Sequence, residues 1–156
     1  MNQWRPPGYG TLTPHITVKG CEAALELYER AFGAADADVR RGPNGAILHA
    51  TLRIGDSRLM LNEEYPDQGV LGPDPSRRSP VVLHLYVEDV DGWFGRATGA
   101  GCEALFAPTD MFWGDRYAMV KDPYGHVWSM GKHIEDVSPE DVQRRMLEAF
   151  SDPDAG

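Results

Sequence analysis

The sequence predicts an α+β fold made of two tandem βαβββ modules and a separate C-terminal helix. Three observations carry this. Two amphipathic helical stripes are each preceded by one strand-like segment and followed by three. Gly and Pro, 17 and 12 of the 156 residues, fall largely at the breaks between these segments. Sliding the chain by 69 positions lays His15-Ile16-Thr17-Val18 on His84-Leu85-Tyr86-Val87, Gly45 on Gly114 and Leu61 on Met130. One offset thus relates the first, third and fourth strands of both halves without a gap, as expected of an internal duplication.

Residues 1–10, rich in Pro and Gly, read as an irregular arm. Module 1 spans 11–64. Ile16, Thr17 and Val18 are β-branched and favour a strand, which Gly20 ends. Residues 21–32 place Ala24, Leu25, Leu27, Tyr28, Ala31 and Phe32 at spacings of three and four, one apolar helical stripe. Gly33 sits where a helix C-cap glycine belongs. A weaker strand over 36–41 leads to the turn Gly42-Pro43-Asn44-Gly45. Residues 46–54 alternate, with Leu48, Ala50, Leu52 and Ile54 on one face and His49, Thr51 and Arg53 on the other. The turn Gly55-Asp56 leads to a strand over 58–63. Residues 65–79, polar with three Pro and two Gly, form the linker.

Module 2 spans 80–133. It has a strand over 81–88 and a helix over 89–100 with Val90, Trp93, Phe94 and Ala97 on one side. Gly101 ends that helix, and strands over 103–106, 115–121 and 126–131 follow. Residues 134–156 are the C-terminal helix and tail. Ser138 as N-cap, Pro139 and the early acids Glu140 and Asp141 start the helix. Val142, Met146, Leu147 and Phe150 form its apolar stripe, which packs on the core or, alternatively, on a partner subunit.

Composition narrows the function. The chain has 42% hydrophobic and 25% charged residues, ordinary for a globular protein, so widespread disorder is excluded. Lys and Arg number 15 against 24 Asp and Glu, a net charge of −9. Such a chain has no electrostatic footprint for nucleic acid or an anionic membrane. No apolar stretch is long enough to span a bilayer. The opening residues lack an apolar signal core, so a cytoplasmic location is expected. Cys21 and Cys102 are too few for a disulfide scaffold or a cysteine zinc site and read as free thiols. Cys102 has no neighbouring base in sequence.

Two βαβββ modules side by side, a His on the first strand of each, the segment Phe112-Trp113-Gly114-Asp115-Arg116-Tyr117 and the turn Asp122-Pro123-Tyr124-Gly125-His126 before the last strand together resemble the glyoxalase, bleomycin-resistance and extradiol-dioxygenase group, the vicinal oxygen chelate superfamily. The resemblance covers about residues 11–133. It implies a mixed sheet curled around a pocket, and in many members a homodimer. In metal-dependent members, the first strand of each module supplies a His or Gln ligand and the last strand a Glu.

Carried over residue by residue, His15 and His84 occupy the first-strand ligand positions and could bind Zn, Ni, Mn or Fe. Counting from the Asp-Pro-x-Gly turn puts Ser129 where the Glu is expected, and the repeat puts Met60 at the partner position. Neither suits a borderline or hard divalent ion, and two His alone hold a metal poorly. A bulge bringing in Glu63 or Glu64 would complete the set.

Alternation places Thr13 and Thr17 on the face of His15, Val82 and Tyr86 on that of His84, and Arg58 and Asn62 on that of Met60. With His49, these residues line a polar and aromatic trough suited to a small organic ligand: His15, Thr17, His49, Arg58, Met60, Asn62, His84, Tyr86 and Ser129. Trp113 joins them as a stacking candidate; Trp113, Tyr117 and Trp128 read equally as core aromatics. Asp115 and Arg116 are ion-pair candidates, within the sheet or between subunits. His126 reads as a turn residue and His133 as a surface residue.

Three functions remain open: a metal-free binder of a small molecule, a divalent-metal-dependent lyase, isomerase or dioxygenase using His15 and His84, and an interaction module with a filled trough. The missing acidic ligands favour the first.

Overall fold

The computed structural model describes residues 4–151. Residues 1–3 of the expected arm and 152–156 of the tail lie outside them. Eleven elements follow in order: β1 (His15–Val18), α1 (Cys21–Phe32), β2 (Ala35–Arg41), β3 (Ile47–Ile54), β4 (Ser57–Glu63), β5 (Val82–Tyr86), α2 (Val90–Ala100), β6 (Glu103–Asp110), β7 (Asp115–Lys121), β8 (Val127–His133) and α3 (Pro139–Ser151). The linker adds a single 3-10 turn, Pro66–Gln68.

The strands make two four-stranded mixed sheets, ordered β1-β4-β3-β2 and β5-β8-β7-β6. In each, the first strand pairs in parallel with the last, and the other pairs are antiparallel. The α+β fold of two tandem modules and a C-terminal helix is therefore present. β6 runs to Asp110, beyond the expected end at 106, because it stays paired with β7 as far as Asp110↔Arg116.

The helices form where the stripes place them. Gly33 takes φ 63° and closes α1 with bonds from its own N–H to Glu29 and from Ala34 N–H to Tyr28. Asp89 caps α2 by accepting from the Gly92 N–H at 3.0 Å. Apolar faces of both helices and the inner faces of both sheets share one core, which includes Val18, Tyr28, Phe32, Leu61, Val90, Val120, Trp128 and Met130.

The 69-residue offset holds at the parallel pairs: His15↔Met60 matches His84↔Ser129, and Thr17↔Asn62 matches Tyr86↔Gly131. It fails in the third strand. β2 pairs Arg41 with Ile47 but Arg40 with His49, so Leu48 is an extra residue. From there His49 corresponds to Tyr117, the two being the partners of Asn62 and Gly131, an offset of 68. The Asp122–His126 turn is one residue longer than its module 1 counterpart and restores 69. Leu48, expected on the core face, is accordingly exposed at 39%, and Ile47 takes the core position.

The C-terminal helix starts as expected, with Ser138 Oγ accepting from the Asp141 N–H at 3.1 Å. Its expected packing on the core does not occur. No residue of α3 is buried, and Leu147 and Phe150 are exposed at 59% and 81%. Arg145 tethers it through Glu135, at 2.8 and 3.0 Å, and through the Phe112 carbonyl.

Candidate functional site

Alternation on β1 and β4 follows the expectation. Ile16, Val18, Leu59 and Leu61 are buried in the core, while His15, Thr17, Arg58, Met60 and Asn62 occupy the opposite face. There Thr17 Oγ1 donates to Asn62 Oδ1 at 3.2 Å, and the His15 and His49 rings meet edge to face at 5.3 Å. Burial, then the neighbouring His49, lowers the pKa of His15 below the ordinary imidazole value. The N-terminal arm reaches this face: Tyr9 Oη lies 3.4 Å from Thr51 Oγ1, and Gly8 passes against the Arg58 guanidinium.

The second sheet carries a continuous aromatic row on the equivalent face. His84 meets Tyr86 edge to face at 4.7 Å and stacks with Tyr117 at 6.1 Å; Tyr117 in turn meets Trp113 at 5.6 Å. His84 Nδ1 is 2.7 Å from Oγ of the buried Ser129, its pairing partner. Gly131 is needed here, because a Cβ on it would stand 2.9 Å from the imidazole Cε1. Burial lowers the His84 pKa, and the charge of Asp115 opposes that only in part. Tyr86 is exposed at 72%.

Between the modules lies a cleft of about 880 Å³. Val81, Val82, Leu83, Leu85 and Leu12 give it apolar walls, and Arg5, Tyr9, Asp56, Arg58 and His84 are its charged or titratable groups among the described residues. Of the expected ligand-binding residues, it gathers Arg58 and His84. His15, Thr17, His49, Met60, Asn62, Tyr86 and Ser129 do not line it but lie on the two sheet faces beside it, and Trp113 stands in the turn between β6 and β7 against Tyr117.

Other residues resolve into supporting roles. Trp128 is a core aromatic, 4.3 Å from Phe32 between ring centres. Arg116 pairs with Asp91 and Asp110, and Asp115 with His133. His126 is a turn residue whose Nε2 lies 2.8 Å from the Thr17 carbonyl oxygen of module 1. Burial pushes both thiols, Cys21 and Cys102, up to about 12, so neither is a thiolate near neutral pH.

Comparison with known proteins fixes the family. The family model described as Glyoxalase/Bleomycin resistance protein/Dioxygenase superfamily matches residues 10–130. The chain belongs to this superfamily. Within it, the chain is 38% identical over 138 residues to uncharacterized protein Mb0911c of Mycobacterium bovis, covering 86% of this chain and 91% of that one. Uncharacterized protein Rv0887c of Mycobacterium tuberculosis is equally similar, with 81% of its length covered. Among solved structures, TioX from Micromonospora superposes with a TM-score of 0.62 at 25% identity, over 80% of this chain and 99% of that one. A superfamily protein from Nocardioides superposes with 0.63 at 21%, over 86% and 88%.

The superfamily's divalent metal does not fit the donors present. The four positions that the resemblance assigns to it carry His15, Met60, His84 and Ser129, with no carboxylate among the four, and the Ser129 hydroxyl is bonded to His84. Glu63 does not complete the set. Its two carboxylate oxygens accept from the Gly20 and Cys21 N–H groups at 2.7 and 2.8 Å, at the N-terminus of α1. Glu64 accepts from the Gly72 N–H at 2.9 Å. Among the described residues, no group of three or more His, Cys, Asp and Glu side chains converges.

Proposed function

We propose that this superfamily member binds a small organic molecule without a resident metal. The observation that carries the reading is the inter-module cleft, whose volume falls in the range of small-molecule sites and whose apolar walls hold a few polar groups. The aromatic row His84, Tyr86, Tyr117 and Trp113 extends the contact surface beside it, where flat ligands stack well. His15, Thr17, His49, Met60 and Asn62 form the polar face of the first sheet, which a homodimer would bring against the aromatic row of a second copy. Soft and neutral donors at the four ligand positions support the metal-free part of the reading.

The test is a thermal-shift and ligand-detected NMR screen of a chemically mixed small-molecule library, run beside elemental analysis of untagged protein. Saturable binding that His84→Ala weakens is expected, with metal well below one equivalent. Stoichiometric Zn, Ni, Mn or Fe overturns the metal-free part. A screen without a single saturable binder overturns the binding reading.

A further inference from the structure

The cleft has an unusual charge content for this chain. Acids outnumber bases 24 to 15, and most arginines are spoken for. Arg40, Arg41, Arg53, Arg77, Arg116, Arg144 and Arg145 each pair with a carboxylate. Arg58 is different. It is partly buried on the cleft lining, and among the described residues it has neither a carboxylate within ion-pair distance nor a side-chain hydrogen bond. Arg5, on the arm, also lines the cleft; among the described residues its side chain donates only to the Thr11 hydroxyl, and it lies over the Trp4 ring. A guanidinium withdrawn from water without a counter-charge is unfavourable, and a bound anion removes that penalty.

The surroundings select which anion. Gly8 brings the arm over the Arg58 guanidinium; a Cβ there would be 3.6 Å from its nitrogens, so the passing backbone shields the group on one side. Beyond it the walls are Val81, Val82 and Leu83, which favour an apolar body over a densely charged one. Asp56 is the one acid on the lining among the described residues, and its carboxylate accepts from the Ser57 hydroxyl. It adds a negative charge that disfavours dianions and polyanions.

From this geometry we infer that the cleft takes a monoanionic organic carboxylate with an apolar or aryl body, its carboxylate on the Arg58 guanidinium and Arg5 closing from the arm. A planar fork matched to a carboxylate gives this contact its direction. The inference rests on the small-molecule reading above and names the class of ligand.

Three matched probes test it on the full chain by isothermal titration and ligand-detected NMR: 4-phenylbutyrate, 4-phenylbutyramide and 4-phenylbutylamine. The carboxylate is expected to bind at least about tenfold more tightly than the amide, and the amine not at all. Arg58→Gln should remove that preference, and Arg58→Lys should keep part of it. Arg40→Gln, which changes the net charge equally at an exposed pair with Asp38, should leave it intact. Circular dichroism of Arg58→Gln checks that it is folded; were it unfolded, a reduced preference in Arg58→Lys carries the same test. Equal affinity for carboxylate and amide, or an unchanged preference in either Arg58 variant, overturns the carboxylate inference and leaves small-molecule binding standing. No binding of any probe overturns the inference as well, and the mixed-library screen then decides the broader reading separately.

Discussion

Asp122 is a buried carboxylate whose partners come from both modules. It accepts from Tyr28 Oη of α1 at 2.8 Å and Trp128 Nε1 of β8 at 2.9 Å, and from the N–H groups of Tyr124 and His126 at 2.9 and 3.0 Å. Deleting one partner of a buried hydrogen bond leaves the other without water or substitute. Tyr28→Phe should therefore lower unfolding free energy by about 1–2 kcal/mol. Asp122→Ala, which strands all four donors, should cost about 3 kcal/mol or more. Urea denaturation measures both, and an Asp122→Ala protein as stable as the parent would refute the account. The histidines allow a second test at this scale. Burial favours neutral His84, so its folded pKa lies below the ordinary 6.5. Its contribution to stability is complete above 6.5 and is lost as pH falls through the folded value. His133 runs the other way. Its bonds to Asp136, then Asp115, raise its pKa, so its contribution is present below 6.5 and is lost as pH rises through the higher folded value. NMR titration of the imidazole protons should give midpoints on opposite sides of 6.5. Of the Asp122 cluster, the Asp-Pro-x-Gly turn and the core aromatic Trp128 were visible in the sequence; the network that joins them was not. Tyr28 read as one more residue of a helical stripe, because its hydroxyl finds Asp122 94 residues away.

Elements show where local pattern suffices and where it does not. Both module helices are legible because their stripes and terminal glycines are local signals. The start of α1 is not: Gly20, at its N-terminus, has no side chain with which to cap. Glu63, from the far end of β4, supplies the acceptors instead. That explains why Glu63 looked free to serve a metal when read along the chain. Glu63→Ala should destabilise the protein by about 1–2 kcal/mol, as loss of a cap and of a charge at a helix N-terminus does. Thermal unfolding of Glu63→Ala and Glu63→Gln separates the two, since Gln keeps one acceptor. The C-terminal helix was legible as a helix but not in its packing, since an amphipathic stripe says that a face wants cover without saying from where. Removing residues 138–156 should change the unfolding free energy of the remaining chain by no more than about 0.5 kcal/mol at low concentration, because nothing on α3 is buried within the chain. A larger loss would mean that the helix is part of the folding unit.

At the scale of the molecule, the repeat made the architecture legible, and alternation placed His15, Thr17, Arg58, Met60 and Asn62 on one face correctly. What stayed hidden was the meeting of distant segments. The cleft joins Arg58 of module 1 to His84 of module 2 under an arm that carries no periodic signal. Large apolar side chains also remain uncovered, among them Tyr86, Phe106, Leu147 and Phe150. Sedimentation at micromolar concentration should give a species of twice 17.3 kDa, and a particle that stays at 17.3 kDa on concentration would refute the dimer.

Leu48 and the longer turn at residues 122–126 carry a historical consequence. The first half carries one extra residue, Leu48, within its third strand; the second carries one more in the turn after it. The two changes cancel, which is why both ends of the repeat still measure 69. An equal repeat length here is the sum of two opposite length changes, not the survival of an unaltered copy. Between them the strand has slid by one position relative to its twin, and only the bulge keeps that slip from exchanging its buried and exposed sides. The halves have thus diverged by insertion as well as by substitution, and a gapless alignment of one on the other compares residues that point in opposite directions throughout the third strand.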